Sequence, residues 1–236
     1  MIDEYEKGFM NSGRCARADA RRLSITVLSD GKSWINEYIP DLVSSFTLSG
    51  HDVSWVHEIS EITEGDLSFY LGCGRIVPPD VLSKNRHNLV VHASALPQGR
   101  GWSPLTWQIL EGRNEIPISL FEAEKSVDSG KIYLRDVMRF DGTELIGELR
   151  QKTGEYTVRL CRAFVENYPD TVLKGTDQTG ASSYYRRRGS EDSKLDPDRT
   201  IREQFNLMRV VDNEHYPARF ELNGARYTLR IERGWE

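Results

Sequence analysis

Leu23-Ser24-Ile25-Thr26-Val27-Leu28 opens the stretch that decides the fold. Asp30 and Ser33 follow, then Trp34, Ile35, Tyr38, Ile39, Leu42, Val43 and Phe46 at helical spacing, then Gly50 and Val53 to Val56. The first run is short, apolar and rich in β-branched residues, which predicts a buried strand. Asp30 and Ser33 offer helix caps, and Gly50 closes the helix. Val53 to Val56 predicts a second strand. The alternation continues downstream. Leu67 to Leu71 predicts a third strand, followed by the loop Gly72-Cys73-Gly74-Arg75 and a helical turn after Pro79. Leu89-Val90-Val91 predicts a fourth, Pro104 to Leu110 a short helix ended by Gly112, and Ile116 to Phe121 a fifth strand. Strands alternating with helices imply an α/β fold: a mostly parallel, Rossmann-like sheet with helices on both faces. Ligands of such sheets sit beyond the carboxyl ends of the strands.

Beyond Phe121 the pattern changes. Lys131 to Phe140 reads as extended, and Leu145 to Tyr168 as mainly helical with a weak point at Gly154. Residues 170–194 are polar and Gly-rich and read as loop. Asp196-Pro197 reads as a helix start, Asp as N-cap and Pro at the first position, with Ile201, Phe205 and Met208 on one face. Asn223-Gly224 between two apolar runs signals a two-residue hairpin. The expected division is an N-terminal arm over 1–22, which has no clear period, a core over 23–168, and an extension over 169–236 containing a loop, a helix and a hairpin.

The 236 residues carry a net charge of -5, which gives no general electrostatic help in holding long nucleic acids. Cys15, Cys73 and Cys161 are odd in number and widely spaced, so neither a disulfide framework nor a thiolate metal site is implied. His51, His57, His87 and His215 show no metal-ligand spacing. With no apolar signal core and no run of membrane-spanning length, the expectation is a cytoplasmic protein with no membrane partner.

The chemistry concentrates in His92-Ala93-Ser94-Ala95-Leu96-Pro97-Gln98-Gly99-Arg100-Gly101-Trp102-Ser103-Pro104, placed where the fourth strand ends. This H-x-S-x-L-P-x-x-R-G-x-x-P pattern resembles the formyltransferase family. The resemblance continues in order through Trp107 to Gly112, Ile118 to Phe121 and Val127-Asp128-Ser129-Gly130-Lys131-Ile132, and covers about Leu23 to Arg139. Upstream, Leu71 to Pro78 resembles the loop that cradles the folate, which implies cofactor contacts at Gly74, Arg75, Ile76, Val77 and Pro78. The resemblance implies transfer of a formyl group from 10-formyltetrahydrofolate, without a metal, to an amine. Attack by that amine builds negative charge on the formyl oxygen, and a donor aimed there is typically worth about 2.7–4 kcal/mol of barrier. The nitrogen must also lose a proton, which a carboxylate can take. By position the resemblance assigns the donor to His92 and the carboxylate to Asp128.

One position departs from the pattern. The family usually has an asparagine two residues before the histidine, and here that residue is Val90. Asn88 shares a strand face with His92 but stands about 13 Å away at strand rise. Either another donor, such as Ser94, substitutes, or transfer relies on His92, backbone N–H groups and water. A weakly catalytic folate or nucleotide-sugar binding protein is the alternative reading.

Residues 191–196, 205–212 and 216–218 resemble the segment after the core in sugar N-formyltransferases. The transfer-RNA enzyme has this segment too, followed by a further barrel domain, whereas only a hairpin's length remains here after Pro217. Gly101 to Gln108 looks most like short members linked to pseudaminic-type nonulosonic acid synthesis. The resemblance therefore implies a nucleotide-linked amino sugar as acceptor, such as a UDP-4-amino sugar, and another amine, such as an aminoacyl group, as the alternative. Substrate contacts are expected at Ser94, Arg100, Gly101, Trp102, Tyr185, Arg186, Asn206 and Arg209. Blander readings stand beside these. Asp128 alone is a turn former, Arg186 to Arg188 a solvated run, Trp102 and Trp107 packing residues. Gly72-Cys73-Gly74 lacks the third glycine of a dinucleotide loop. Related sugar enzymes are often dimers, so the resemblance also allows a homodimer paired through the apolar hairpin.

Overall fold

The computed structural model describes residues 21–234. The expected N-terminal arm lies outside these residues except for Arg21 and Arg22. A six-stranded sheet organises the chain, built from β1 (Ser24–Leu28), β2 (Asp52–Val56), β3 (Gly65–Tyr70), β4 (Asn85–His92), β6 (Glu115–Glu122) and β7 (Ile132–Arg139) in the order β2-β1-β3-β4-β6-β7; the two-residue β5 (Arg100–Gly101) lies outside it. The first four strands of that order are parallel, whereas β6 runs antiparallel to β4 and β7 antiparallel to β6. Between β4 and β6 the chain forms a loop and one short helix, α3 (Pro104–Leu110).

The two faces of the sheet differ. Ile25, Val27, Leu67, Phe69, Leu89, Ile116, Ile118 and Leu120 point to one face, where they form a continuous apolar core with α1 (Ile39–Leu48) and α4 (Ile146–Glu166). The other face carries Thr26, Ser68, Asn88, Val90, His92 and Ser119 beside Leu28, Tyr70 and Phe121. Its helical cover is α2, the single turn Pro79–Leu82, and a 3-10 turn at Ile59–Glu61; the rest is loop.

The helix expected over Trp34 to Phe46 is divided into a 3-10 turn, Trp34–Glu37, and α1, with Pro40 in the first turn of α1. A proline there has no N–H to extend the preceding turn. Gly154 is not a weak point, for α4 runs through it unbroken. A Cβ at 154 would stand 2.6 Å from the Tyr38 ring, so the glycine permits close helix approach. The polar stretch 170–194 is more ordered than its composition suggests. It contains α5 (Asp170–Leu173), β8 (Tyr184–Tyr185) and a 3-10 turn at Ser190–Ser193. The next helix, α6 (Ile201–Arg209), is not capped by Asp196. Thr200 caps it, with Glu203 completing a capping box, while the backbone N–H of Asp196 is taken by the Gln204 side chain. The hairpin forms as expected from β9 (Ala218–Leu222) and β10 (Ala225–Leu229), with Asn223 and Gly224 both at positive φ.

Candidate active site

His92 is the last residue of β4, at the carboxyl end of a parallel strand and on the loop-covered face. Its ring meets the edge of Phe121, 6.4 Å between centroids. Nε2 donates to the Gly99 carbonyl at 2.8 Å and lies 3.8 Å from Asp128 Oδ2. Asp128 reaches it from the loop after β6, with φ of 51° in the left-handed region, and accepts the Gly101 N–H at 2.8 Å. Both side chains are largely buried, 10% and 13% exposed, so their electrostatic coupling is screened less than at a surface. The imidazole and the carboxylate therefore meet, with the glycine-flanked turn 99–101 contacting each.

That turn is held from outside by the extension. β5 pairs in parallel with β8. Arg100 N–H donates to the Ser183 carbonyl, Trp102 N–H to the Tyr185 carbonyl, and Gly99 N–H to Ser183 Oγ. Gly101 is required here because a Cβ would stand 2.5 Å from the Tyr185 carbonyl oxygen, at a φ of 94°. The Arg100 guanidinium binds Gln178 and the Tyr184 hydroxyl. Gln178 in turn donates to the carbonyls of Asp128 and Gly130, each at 2.9 Å. Gln178 and Ser183 were not anticipated, because a two-residue bridge in polar chain leaves no periodicity to read.

The loop 73–78 borders the site. Gly74 donates its N–H to Asp30 at 2.8 Å, and a Cβ on it would approach the Trp102 ring at 3.7 Å. Arg75 turns away, to Asp30, Glu58 and the His57 carbonyl. Val77, Tyr70, Val90 and Ala123 belong to one apolar cluster on this face, and Ile76 is exposed. The amide of Asn88 is committed elsewhere, donating to Leu82 and accepting from the Tyr70 hydroxyl at 2.6 Å.

Several expected substrate contacts are corrected. Ser94 is 1% exposed and its hydroxyl is sealed behind Gly99, so it cannot face a substrate. Arg186 is held by both carboxylate oxygens of Asp192, whose acidity this pairing raises to a pKa of about 2. Arg209 is 1% exposed, bound to Glu144, Asn114 and Asn206. A buried cation needs such partners, so Arg209 is an interior residue and not a substrate surface, and the half-buried Asn206 has its amide oxygen tied to it. Tyr185 stacks on Trp107 and donates to Glu111. Trp102 is 41% exposed, with the Arg187 guanidinium stacked 4.9 Å above it. Arg187 makes no ion pair among the described residues. Nor, among them, does any group of three or more His, Cys, Asp or Glu side chains have the arrangement to hold a metal ion.

Comparison with known proteins settles the family. The formyl transferase family model matches residues 46–163, half of the chain. The chain belongs to the formyl transferase family. Methionyl-tRNA formyltransferase of Pelotomaculum thermopropionicum is 29% identical over 140 residues, which is 59% of this chain and 45% of that protein. The chain spans about half the length of the curated relatives it matches. Among solved structures, HypX from Aquifex aeolicus in complex with tetrahydrofolic acid superposes with a TM-score of 0.73 at 20% identity, over 89% of this chain and 38% of that one. A 4-N formyltransferase from Francisella tularensis gives 0.67 at 15% identity, over 91% and 99%. The mixed sheet described above is the fold shared with these solved structures. No described helix is long and apolar enough to cross a membrane.

Proposed function

We propose that this chain transfers a formyl group from 10-formyltetrahydrofolate to the amine of a nucleotide-linked amino sugar. The observation that carries the reading is the meeting of His92 with Asp128, 3.8 Å apart and largely buried at the end of β4, in a chain of the formyl transferase family. The pterin would lie on the floor made by Tyr70, Val77, Val90 and Ala123, against the backbone of 74–78. When the amine nitrogen attacks the formyl carbon, the Nε2–H of His92 turns from the Gly99 carbonyl to support the charge on the formyl oxygen. Asp128 takes the proton the amine gives up, directly or through water, and returns it to the folate nitrogen as the carbon–nitrogen bond to folate breaks. No step uses a metal.

Sugar N-formyltransferase character rests on the resemblance of the extension and on the structural likeness to a 4-N formyltransferase. We assign the diphosphate of a nucleotide sugar to Arg187, which stacks on the Trp102 ring, because Arg186 is taken by Asp192. Incubation with 10-formyltetrahydrofolate and a UDP-4-amino sugar is expected to give a product heavier by one formyl group. Formylation of aminoacyl-tRNA instead, with no competition by UDP, would contradict the sugar assignment.

Val90 favours a second reading. An apolar side chain stands between Asn88 and His92 where an added oxyanion donor is usual, and Asn88 is fully bonded elsewhere. Such a protein would hold folate and nucleotide sugar with slow transfer. Calorimetric binding without turnover across a panel of amino sugars would favour it.

A further inference from the structure

We infer that Gln178, in the polar extension, is a positioning residue that sets the spacing of His92 and Asp128 and holds the proton of the imidazole on Nε2. It sits where the two loops that deliver the pair come together. Its Oε1 accepts from Arg100 Nη2 at 2.6 Å, and Arg100 lies between Gly99, whose carbonyl binds His92, and Gly101, whose N–H binds Asp128. Its Nε2 donates to the carbonyl of Asp128 itself and to that of Gly130. One amide thus clamps the imidazole's loop to the carboxylate's loop.

The orientation of that amide is determined by its partners. A guanidinium only donates and carbonyls only accept, so only one placement of oxygen and nitrogen satisfies all three bonds. Asp128 needs restraint, because its φ of 51° is a conformation a non-glycine residue seldom keeps unaided. The Gly99 carbonyl is likewise an acceptor, so the neutral His92 ring must carry its proton on Nε2, with the lone pair left on Nδ1. That proton then lies on the Asp128 side of the ring, where the amine's proton is handed over. Gln178 lies in none of the segments that resemble the family. It is half-buried, unlike the exposed Ser183, whose bond to Gly99 water can replace.

The activity consequence rests on the transferase reading; the protonation pattern does not. The test uses the full chain labelled with 15N-histidine, with the His92 signals assigned by their loss in His92→Gln. Two variants are compared. Gln178→Glu keeps the shape and the bond to Arg100 but turns an acceptor toward two carbonyls. Gln178→Leu removes all three bonds. Wild type is expected to show the Nε2–H pattern at His92. Both variants are expected to shift or split those signals, while His51, His57, His87 and His215 keep theirs. The rate constant kcat should fall by up to about 100-fold, the scale of a roughly 1 Å misplacement, with KM for the formyl donor unchanged. A wild-type ring protonated on Nδ1, or His92 signals in both variants that superpose on wild type, would overturn the inference. If wild type formylates none of the acceptors offered, the transferase reading fails, and the imidazole spectra still decide the role of Gln178.

Discussion

The two faces of the sheet are built on different principles. On one, α1 and α4 bury an unbroken apolar core through regular packing, with Phe69, Phe164, Tyr133 and Tyr168 in edge and tilted contact. On the other, His92 and Asp128 are placed by hydrogen bonds between irregular segments, with Gly99, Gly101, Ser103 and Asp128 at positive φ. Apolar packing is strong but undirected, whereas hydrogen bonds fix direction for a modest net stabilisation. The helix face therefore sets stability and the loop face sets geometry, and a substitution on either face should separate the two quantities.

Phe164→Ala cuts hardest into the helix face. The ring is fully buried, and its loss should cost about 3–5 kcal/mol in urea unfolding, with transfer per folded molecule unchanged. Gly101→Ala attacks the other side. A Cβ driven against the Tyr185 carbonyl separates β5 from β8. The rate should fall by up to about 100-fold, with a much smaller change in the unfolding midpoint. Gly154→Ala sharpens the contrast within the helix face. Helix propensity alone favours alanine by about 1 kcal/mol, yet the contact with Tyr38 should reverse the sign to a loss of about 1–3 kcal/mol. Differential scanning calorimetry reads that sign.

Acid should affect the loop face first. The bidentate bond from Arg186, helped by the Gly189 N–H, holds Asp192 at about 2, and it anchors the chain just after β8. A carboxylate depressed in the folded state stabilises fully above its unfolded pKa of about 3.9, and the benefit disappears as pH falls through the folded value. Between about pH 4 and pH 2, proteolysis or hydrogen exchange should show residues 183–192 loosening. Exchange in β1 and β3 at the same pH rates would mean that the two faces are not separable.

What the sequence disclosed follows the same division. Repeating apolar patterns made β1, α1, β3 and β6 visible, because each element's core residues recur at its own period. The paired turn residues Asn223-Gly224 announced the hairpin. His92 and Asp128 stood out through an ordered motif and not through any local pattern. The direction of β6 was illegible, since the connection over 93–114 is long enough for either sense. So was the stitching by Gln178 and Ser183, which joins positions about 80 residues apart through single bonds. Arg209 misled for a related reason. An arginine at the end of an amphipathic helix looks available until the buried partner, Glu144, is seen to hold it.

The most direct test is mass spectrometry of a UDP-4-amino sugar incubated with 10-formyltetrahydrofolate and either wild type or the His92→Ala, Asp128→Ala double variant. The account predicts addition of one formyl group by wild type and a rate lower by about 100-fold or more in the folded double variant. Equal rates from the two proteins would contradict it.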